Sequence, residues 1–172
     1  SRMPLGRIDS ETTANVGIIE GGAAVNIVPK TVFLRAESRS HNKVKLAAQT
    51  ERMRACFQEA VEKFSVEIKG KRLQGRVEEN IWRDYNPIKL PDNAPIVRAV
   101  LQAAQRCGYS VKTNATGGGC DANIFNEKGI TVPNLGTGMH QIHTVDEWVS
   151  VSEMNQTAHV IFEVVKTFGK QN

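Results

Sequence analysis

The sequence predicts a chain of two regimes, an α+β layer over residues 1–83 followed by an α/β arrangement over residues 84–172. Three observations predict it. Residues 15 to about 83 read as strand, strand, helix, strand, strand, which makes a small sheet with a helix packed on one face. Asp84 to Asn93 (DYNPIKLPDN) holds two prolines among turn residues and marks a boundary. Beyond it, helical and strand-like patterns alternate, the order of a parallel or mixed sheet.

Taken in order, residues 1–14 (SRMPLGRIDSETTA) show little periodicity, no cap and no clean strand start. Without an initiating Met they do not look like the start of a gene product. Asn15 to Glu20 reads as a short strand ended by Gly21-Gly22, and a second strand follows the turn at Asn26-Ile27-Val28-Pro29. In Thr31 to Ser40, Val32, Leu34 and Ala36 alternate with Phe33, Arg35 and Glu37, a half-buried strand with one wet face. A helix starts near Asn42 and ends near Ser65, with Leu46, Met53, Phe57, Ala60, Val61 and Phe64 on one face. Val66 to Lys69 and Arg76 to Trp82 read as two further strands. A ferredoxin-like sandwich would carry one more strand and helix ahead of this set.

In the second region Pro95 lies in the first turn of a helix, where its missing N–H costs nothing. Ile96, Val97, Val100, Leu101 and Ala104 form the buried stripe, and Gly108 is the stop. Tyr109 to Asn114 and Ile130 to Leu135 read as strands, and Cys120 to Glu127 as a short helix stopped by Gly129. The last helix opens on a capping box, Ser150-x-x-Glu153, and places Met154, Ala158, Ile161, Val165 and Phe168 on one face.

Composition bounds the function classes. A chain of 172 residues can bury a full core, and its hydrophobic and charged content is that of an ordinary soluble globular protein. There is no apolar run near the roughly 18 residues of a membrane span, and no signal-peptide core. The net charge of +4 is mild and its lysines and arginines are scattered among acids. Lys69, Lys71, Arg72 and Arg76 cluster around Gly70 and Gly75 as a solvated hairpin. No basic stripe with stacking aromatics points to nucleic acid. Cys56, Cys107 and Cys120 are odd in number without paired spacing, which argues for reduced thiols and a cytoplasmic setting.

Chemistry concentrates between Thr116 and Glu147. Gly117, Gly118 and Gly119 admit close backbone approach, and Cys120 opens the short helix behind them. A second loop, Gly136-Thr137-Gly138, precedes His140 and His143, with Asp146 and Glu147 closing the stretch. His143 reads either as a metal ligand, with Asp146 or Glu147 orienting its other nitrogen, or as a loop histidine bonded to a neighbour. His140 lies three residues earlier and can share its face, but HxxH is a weak signal. Cys120 reads as a thiol nucleophile with His140 or His143 as base, or as a small residue filling a tight turn. His159 is given to helix packing and His41 to a cap region. A metal needs at least three protein ligands. With no HExxH and Glu78-Glu79 as the only adjacent glutamate pair, this stretch holds at most part of a metal site.

MPLGRIDSETTANVGIIEGG, NIVP, RAESRSH, GGGCDANIF and HQIHTVDE, in that order, resemble the peptidase T-like branch of the aminoacylase and carboxypeptidase clan. Those enzymes are co-catalytic dizinc exopeptidases, and the resemblance covers essentially the whole chain. It implies that residues 1–83 match most of a ferredoxin-like lid that also forms a homodimer, lacking its first strand and helix. Residues 84–172 match the last third of a catalytic α/β domain. His143, in its HT-x-x-E context, matches the final zinc ligand. Asn26 matches an asparagine that reaches the substrate carboxylate. Lys89 falls near a carboxylate-binding arginine, a departure because lysine cannot make the bidentate fork. Gly118, Gly119, Cys120 and Asp121 match a pocket-lining GG-S-D-A-N loop, with cysteine in place of serine.

The remaining zinc ligands, the general-base glutamate and a lid histidine are implied upstream of Ser1. Residues 1–172 alone are therefore expected not to hydrolyse peptides, whereas the intact parent is expected to cleave short peptides by metal-activated water. Two alternatives stand beside this. One is a relative that cleaves N-acyl or carbamoyl amides, and the other is a non-catalytic binding or dimerisation module.

Overall fold

Thr12–Gly21 and Val32–Ser40 form the longest strand pair among the described residues. The structure, a computed structural model, describes residues 3–169. It divides into two compact units, Ser1–Pro87 and Ile88–Asn172, and the division falls inside the proline-containing stretch 84–93.

In the first unit β1 (Gly6–Arg7) pairs antiparallel with β2 (Thr12–Gly21), and β2 pairs antiparallel with β3 (Val32–Ser40), in the order β1-β2-β3. The expectation that no strand begins within residues 1–14 is corrected by β1 and by the start of β2. Asx-turn chemistry, which leaves no hydrophobic period, makes that connection. Asp9 Oδ1 accepts the Glu11 amide at 2.9 Å, and the Ile8 amide donates to the Thr12 carbonyl at 2.9 Å. In β2 the register shifts between Val16 and Ile18, so Gly17 is the extra residue of a bulge.

The same turn holds a titratable group. The Glu11 amide, with Lys45 Nζ at 3.1 Å, holds the Asp9 carboxyl down at about 2. A depressed folded value means that Asp9 stabilises the fold fully above its unfolded value of about 3.9, and this is lost as pH falls through about 2. An NMR titration of the Asp9 carboxyl is expected to show its midpoint near 2, and a midpoint near 4 would contradict the Asx turn.

Helix α1 (Lys43–Lys63) begins where predicted, because Asn42 Oδ1 accepts the Val44 and Lys45 amides at 2.9 and 3.2 Å. It packs on β2 and β3. Its buried residues are Gln49, Met53 and Cys56, whereas Ala60 and Phe64 of the predicted stripe are exposed and Leu46, Phe57 and Val61 half-buried. Gln49 occupies the buried face because its Nε2 donates to the Pro4 carbonyl at 2.9 Å. A polar residue with a partner is invisible to an apolar pattern.

Next comes a hairpin of β4 (Ser65–Ile68) and β5 (Lys71–Gln74). Lys69 and Gly70 both have positive φ, 51° and 72°, the geometry of a two-residue type I′ turn. The second strand predicted at 76–82 is thus displaced to 71–74, because so tight a turn starts it immediately. The basic cluster is exposed, as a solvated hairpin requires. Beyond it Glu79 takes the guanidinium of Arg54 on α1 in a forked ion pair, which lowers the Glu79 pKa.

In the second unit α2 (Pro95–Arg106) has Pro95 at its start and Gly108 at φ +80° just past its end. Ala103 and Ala104 are completely buried against Val160 of α4 (Val151–Gly169), with Val100, Tyr109 and Val164 around them. The stripe predicted for α4 is corrected: Met154, Ile161, Val165 and Phe168 are exposed and Val160 is buried. Helix α4 is apolar on more than one side, and the small alanines of α2 select the Val160 side. Its capping box is half made, since Ser150 Oγ accepts the Glu153 amide at 3.4 Å while the Glu153 carboxylate turns elsewhere.

Helix α3 (Asp121–Glu127) forms with Cys120 as its N-cap and Gly129 at φ +84° behind it. Residues 109–114 and 130–135, predicted as strands, form no ladder among the described residues. A strand exists only with a neighbour to accept its hydrogen bonds, so the parallel or mixed sheet is not formed here. The described ladder of this unit is one antiparallel pair, β6 (Met139–His140) with β7 (Trp148–Val149). No described helix is long and apolar enough to cross a membrane.

Candidate functional site

The loop 141–147 between β6 and β7 carries His143. Its backbone is in the left-handed region at Gln141 (φ 52°) and His143 (φ 68°). A non-glycine residue held there costs about 1–3 kcal/mol and is a mark of functional loops. The loop is closed by its own polar groups. Glu147 Oε2 accepts the His143 amide at 2.8 Å, Thr144 Oγ1 donates to the Gln141 carbonyl at 2.7 Å, and the Asp146 amide donates to Thr144 Oγ1 at 3.3 Å. Glu147, one of the two acids expected to orient the His143 ring, instead fixes its backbone amide. The His143 residue is exposed.

His140 has partners of its own outside the 141–147 loop. Its ring stacks on Trp148, its partner across the ladder, at 4.1 Å between centroids and 13° between planes. Its Nε2 lies 3.1 Å from Glu153 Oε2 on α4. The chain just before it is held too, since Thr157 Oγ1 donates to the Gly136 carbonyl at 3.0 Å.

In the glycine loop, Asn123 Oδ1 accepts the Cys120 amide at 2.9 Å and has the Cys120 Sγ at 3.7 Å. The thiol therefore faces Asn123, and His140, its candidate base, is engaged with Glu153. A Cβ built on Gly117 or Gly118 would meet nothing within 4 Å, and neither has positive φ. Packing inside this chain does not require glycine at either position. Gly119, Cys120 and Asp121 are exposed.

Helix α3 is tied to the segment after it by Asn126. Its Nδ2 donates to the Ala122 and Val132 carbonyls, both at 2.7 Å, and its Oδ1 accepts the Val132 amide at 3.3 Å. Asn126→Ala is expected to destabilise this unit by about 2 kcal/mol, read from the urea midpoint, because half-buried backbone groups lose their partner. No sequence signal distinguished Asn126, Trp148 or Glu153 as positioning groups, since their partners are set by folding.

Asn26 is exposed in the β2–β3 connection of the first unit, and Lys89 is exposed in an irregular stretch of the second. Hollows lined by Phe64, Val66 and Leu73 and by Cys107, His159 and Phe162 include none of the predicted site residues. Among the described residues no three His, Cys, Asp or Glu side chains gather to hold a metal. His143, an exposed imidazole on a pinned backbone, suits one ligand position, and zinc takes three or four protein ligands. This donor set is not a complete site.

The sequence profile of peptidase family M20/M25/M40 matches residues 8–167. The uncharacterized protein YqjE of Bacillus subtilis is 38% identical over 170 residues, 99% of this chain and 43% of that protein. Among solved structures, a tripeptidase from Staphylococcus aureus superposes with TM-score 0.78 at 33% identity, covering 96% of this chain and 42% of that one. The aminopeptidase PepT of Bacillus cereus superposes with TM-score 0.73 at 36% identity, covering 95% and 41%. The chain thus spans less than half the length of these relatives. The mixed α/β class read from the sequence agrees with their fold. With a family match over nearly its whole length, this chain belongs to peptidase family M20/M25/M40.

Proposed function

We propose that this chain is part of a metal-dependent exopeptidase of the aminopeptidase or tripeptidase type, acting on short peptides. The similarity to a tripeptidase over 96% of the chain, at 33% identity, carries the reading. In it His143 supplies one ligand to a zinc ion whose other ligands belong to the portion of the relatives that this chain does not span. Asn26 and Lys89 bind the substrate carboxylate, Lys89 as a point charge. Gly118, Gly119, Cys120 and Asp121 line the substrate pocket. The open space beside Gly117 and Gly118 supports that role, because glycine there serves neither packing nor backbone strain within the chain. Two zinc ions per subunit, a homodimer through residues 1–83 and a cytoplasmic setting complete the proposal. Exposed Ile19, Phe33 and Leu34 on β2 and β3 support an interface, and three free cysteines support a reducing compartment. Residues 1–172 alone are inactive in this reading, for want of a full ligand set.

The test is a substrate panel with the full-length protein, comparing tripeptides, dipeptides and N-acyl or carbamoyl amino acids, alongside metal analysis. Zinc-dependent release of the N-terminal residue from tripeptides is the expected outcome. Preference for acylated amino acids would move the protein to amidohydrolysis. Absence of both metal and hydrolysis would leave a binding or dimerisation module, and turnover by residues 1–172 with added zinc would refute the fragment's inactivity.

A further inference from the structure

The hairpin that presents His143 is too small to hold its own shape. β6 and β7 contribute two residues each, and an isolated two-stranded hairpin is marginal in water. The loop between them nevertheless keeps Gln141 and His143 left-handed, a state that persists only where the surroundings over-determine it. Helix α4 adds a constraint to the loop's own hydrogen bonds. Glu153 and Thr157 are four residues apart, so they project from one face. One meets His140 Nε2 at 3.1 Å, and the other holds the Gly136 carbonyl at 3.0 Å. Between these points Gly138 lies against the Glu153 side chain so closely that no side chain fits. On its ring face, His140 stacks on Trp148 at the far end of the loop. One imidazole therefore joins the strand before the loop, the strand after it and the helix beneath.

We infer that His140, clamped between Trp148 and Glu153, is a positioning residue that orders the 141–147 loop and so sets the His143 imidazole for metal binding. The inference rests on the reading of His143 as a ligand given above. His140 acts through the loop. A ligand on a loose loop must be ordered at the moment of binding, and that ordering is subtracted from affinity. Loss of an outer partner of a metal ligand weakens binding by about 10–100-fold.

The test uses the full-length protein with His140→Ala, Trp148→Ala and Glu153→Ala, beside the conservative Trp148→Phe and Glu153→Gln. Zinc affinity is measured by chelator competition, and amide hydrogen exchange of residues 141–147 is followed in the zinc-free protein. The alanine variants are expected to bind the His143 zinc about 10–100-fold more weakly and to exchange faster in 141–147 alone. At limiting zinc their kcat falls while KM holds, and saturating zinc restores it. Trp148→Phe keeps the stack and Glu153→Gln keeps a hydrogen bond, so both stay within roughly threefold of the unaltered protein. Unchanged zinc affinity in the three alanine variants overturns the inference alone. So does a loss that tracks global unfolding with no selective exchange at 141–147. Failure of the unaltered protein to bind zinc overturns the functional reading, and the inference with it.

Discussion

Replacing His143 by alanine in the full-length protein is expected to lower kcat/KM by about 10³-fold and to remove about one zinc per subunit. Losing a group that merely supports a ligand costs about 10–100-fold in affinity or activity, and a direct ligand costs more. The loss should appear without loss of fold. His143 is exposed, and it is its backbone amide, at 2.8 Å from Glu147 Oε2, that closes the loop. Alanine retains that amide. Metal analysis and steady-state kinetics on the purified variant decide the matter, with thermal denaturation as the control. A variant that keeps both its metal and its rate would show that His143 is no ligand, and the metal role proposed for this chain would fall.

Replacing Gly138 by alanine is expected to cost about 3 kcal/mol. Two effects add. Gly138 has φ +81°, where a side chain is strained. A Cβ there would also lie 2.9 Å from Glu153 Oε2 and nearer still to the Glu153 Cβ. The second neighbour belongs to the stem of a helix residue and cannot swing aside. Gly108 separates the two contributions. Its φ of +80° is nearly the same, but nothing lies within 4 Å of an added Cβ, so Gly108→Ala should cost only about 1 kcal/mol. Urea denaturation of the two variants measures the difference. Equal costs would mean that α4 shifts freely, and the close contact between helix and loop would then have no energetic weight.

The local grammar of this chain was legible. The start of α1 near Asn42, Pro95 opening α2, Gly108 and Gly129 closing helices and Cys120 starting α3 all depend on atoms within a few residues, and each stands where the pattern put it. The errors have a common source in partners far along the chain. Gln49 is buried because Pro4 offers a carbonyl, and α4 turns Val160 inward because Ala103 and Ala104 leave room. Residues 109–114 and 130–135 have strand-like composition but no described neighbour to complete a ladder.

The candidate site divides the same way. The glycines, the two histidines and the acids of residues 116–147 were visible as residue types, as was the ordered set of motifs that carries the family. Their spacing allowed His140 and His143 to share a face and left open whether a nearby carboxylate orients the His143 imidazole. Folding assigned Glu147 to a backbone amide and His140 to Trp148 and Glu153. By itself, then, the sequence determined where the helices start and stop and the family, because these depend on neighbours in the chain or on order along it. Only the tertiary structure decided which helix faces are buried and which donor each carboxylate takes, because a hydrogen bond or a packed face needs a second group that covalent sequence does not bring near.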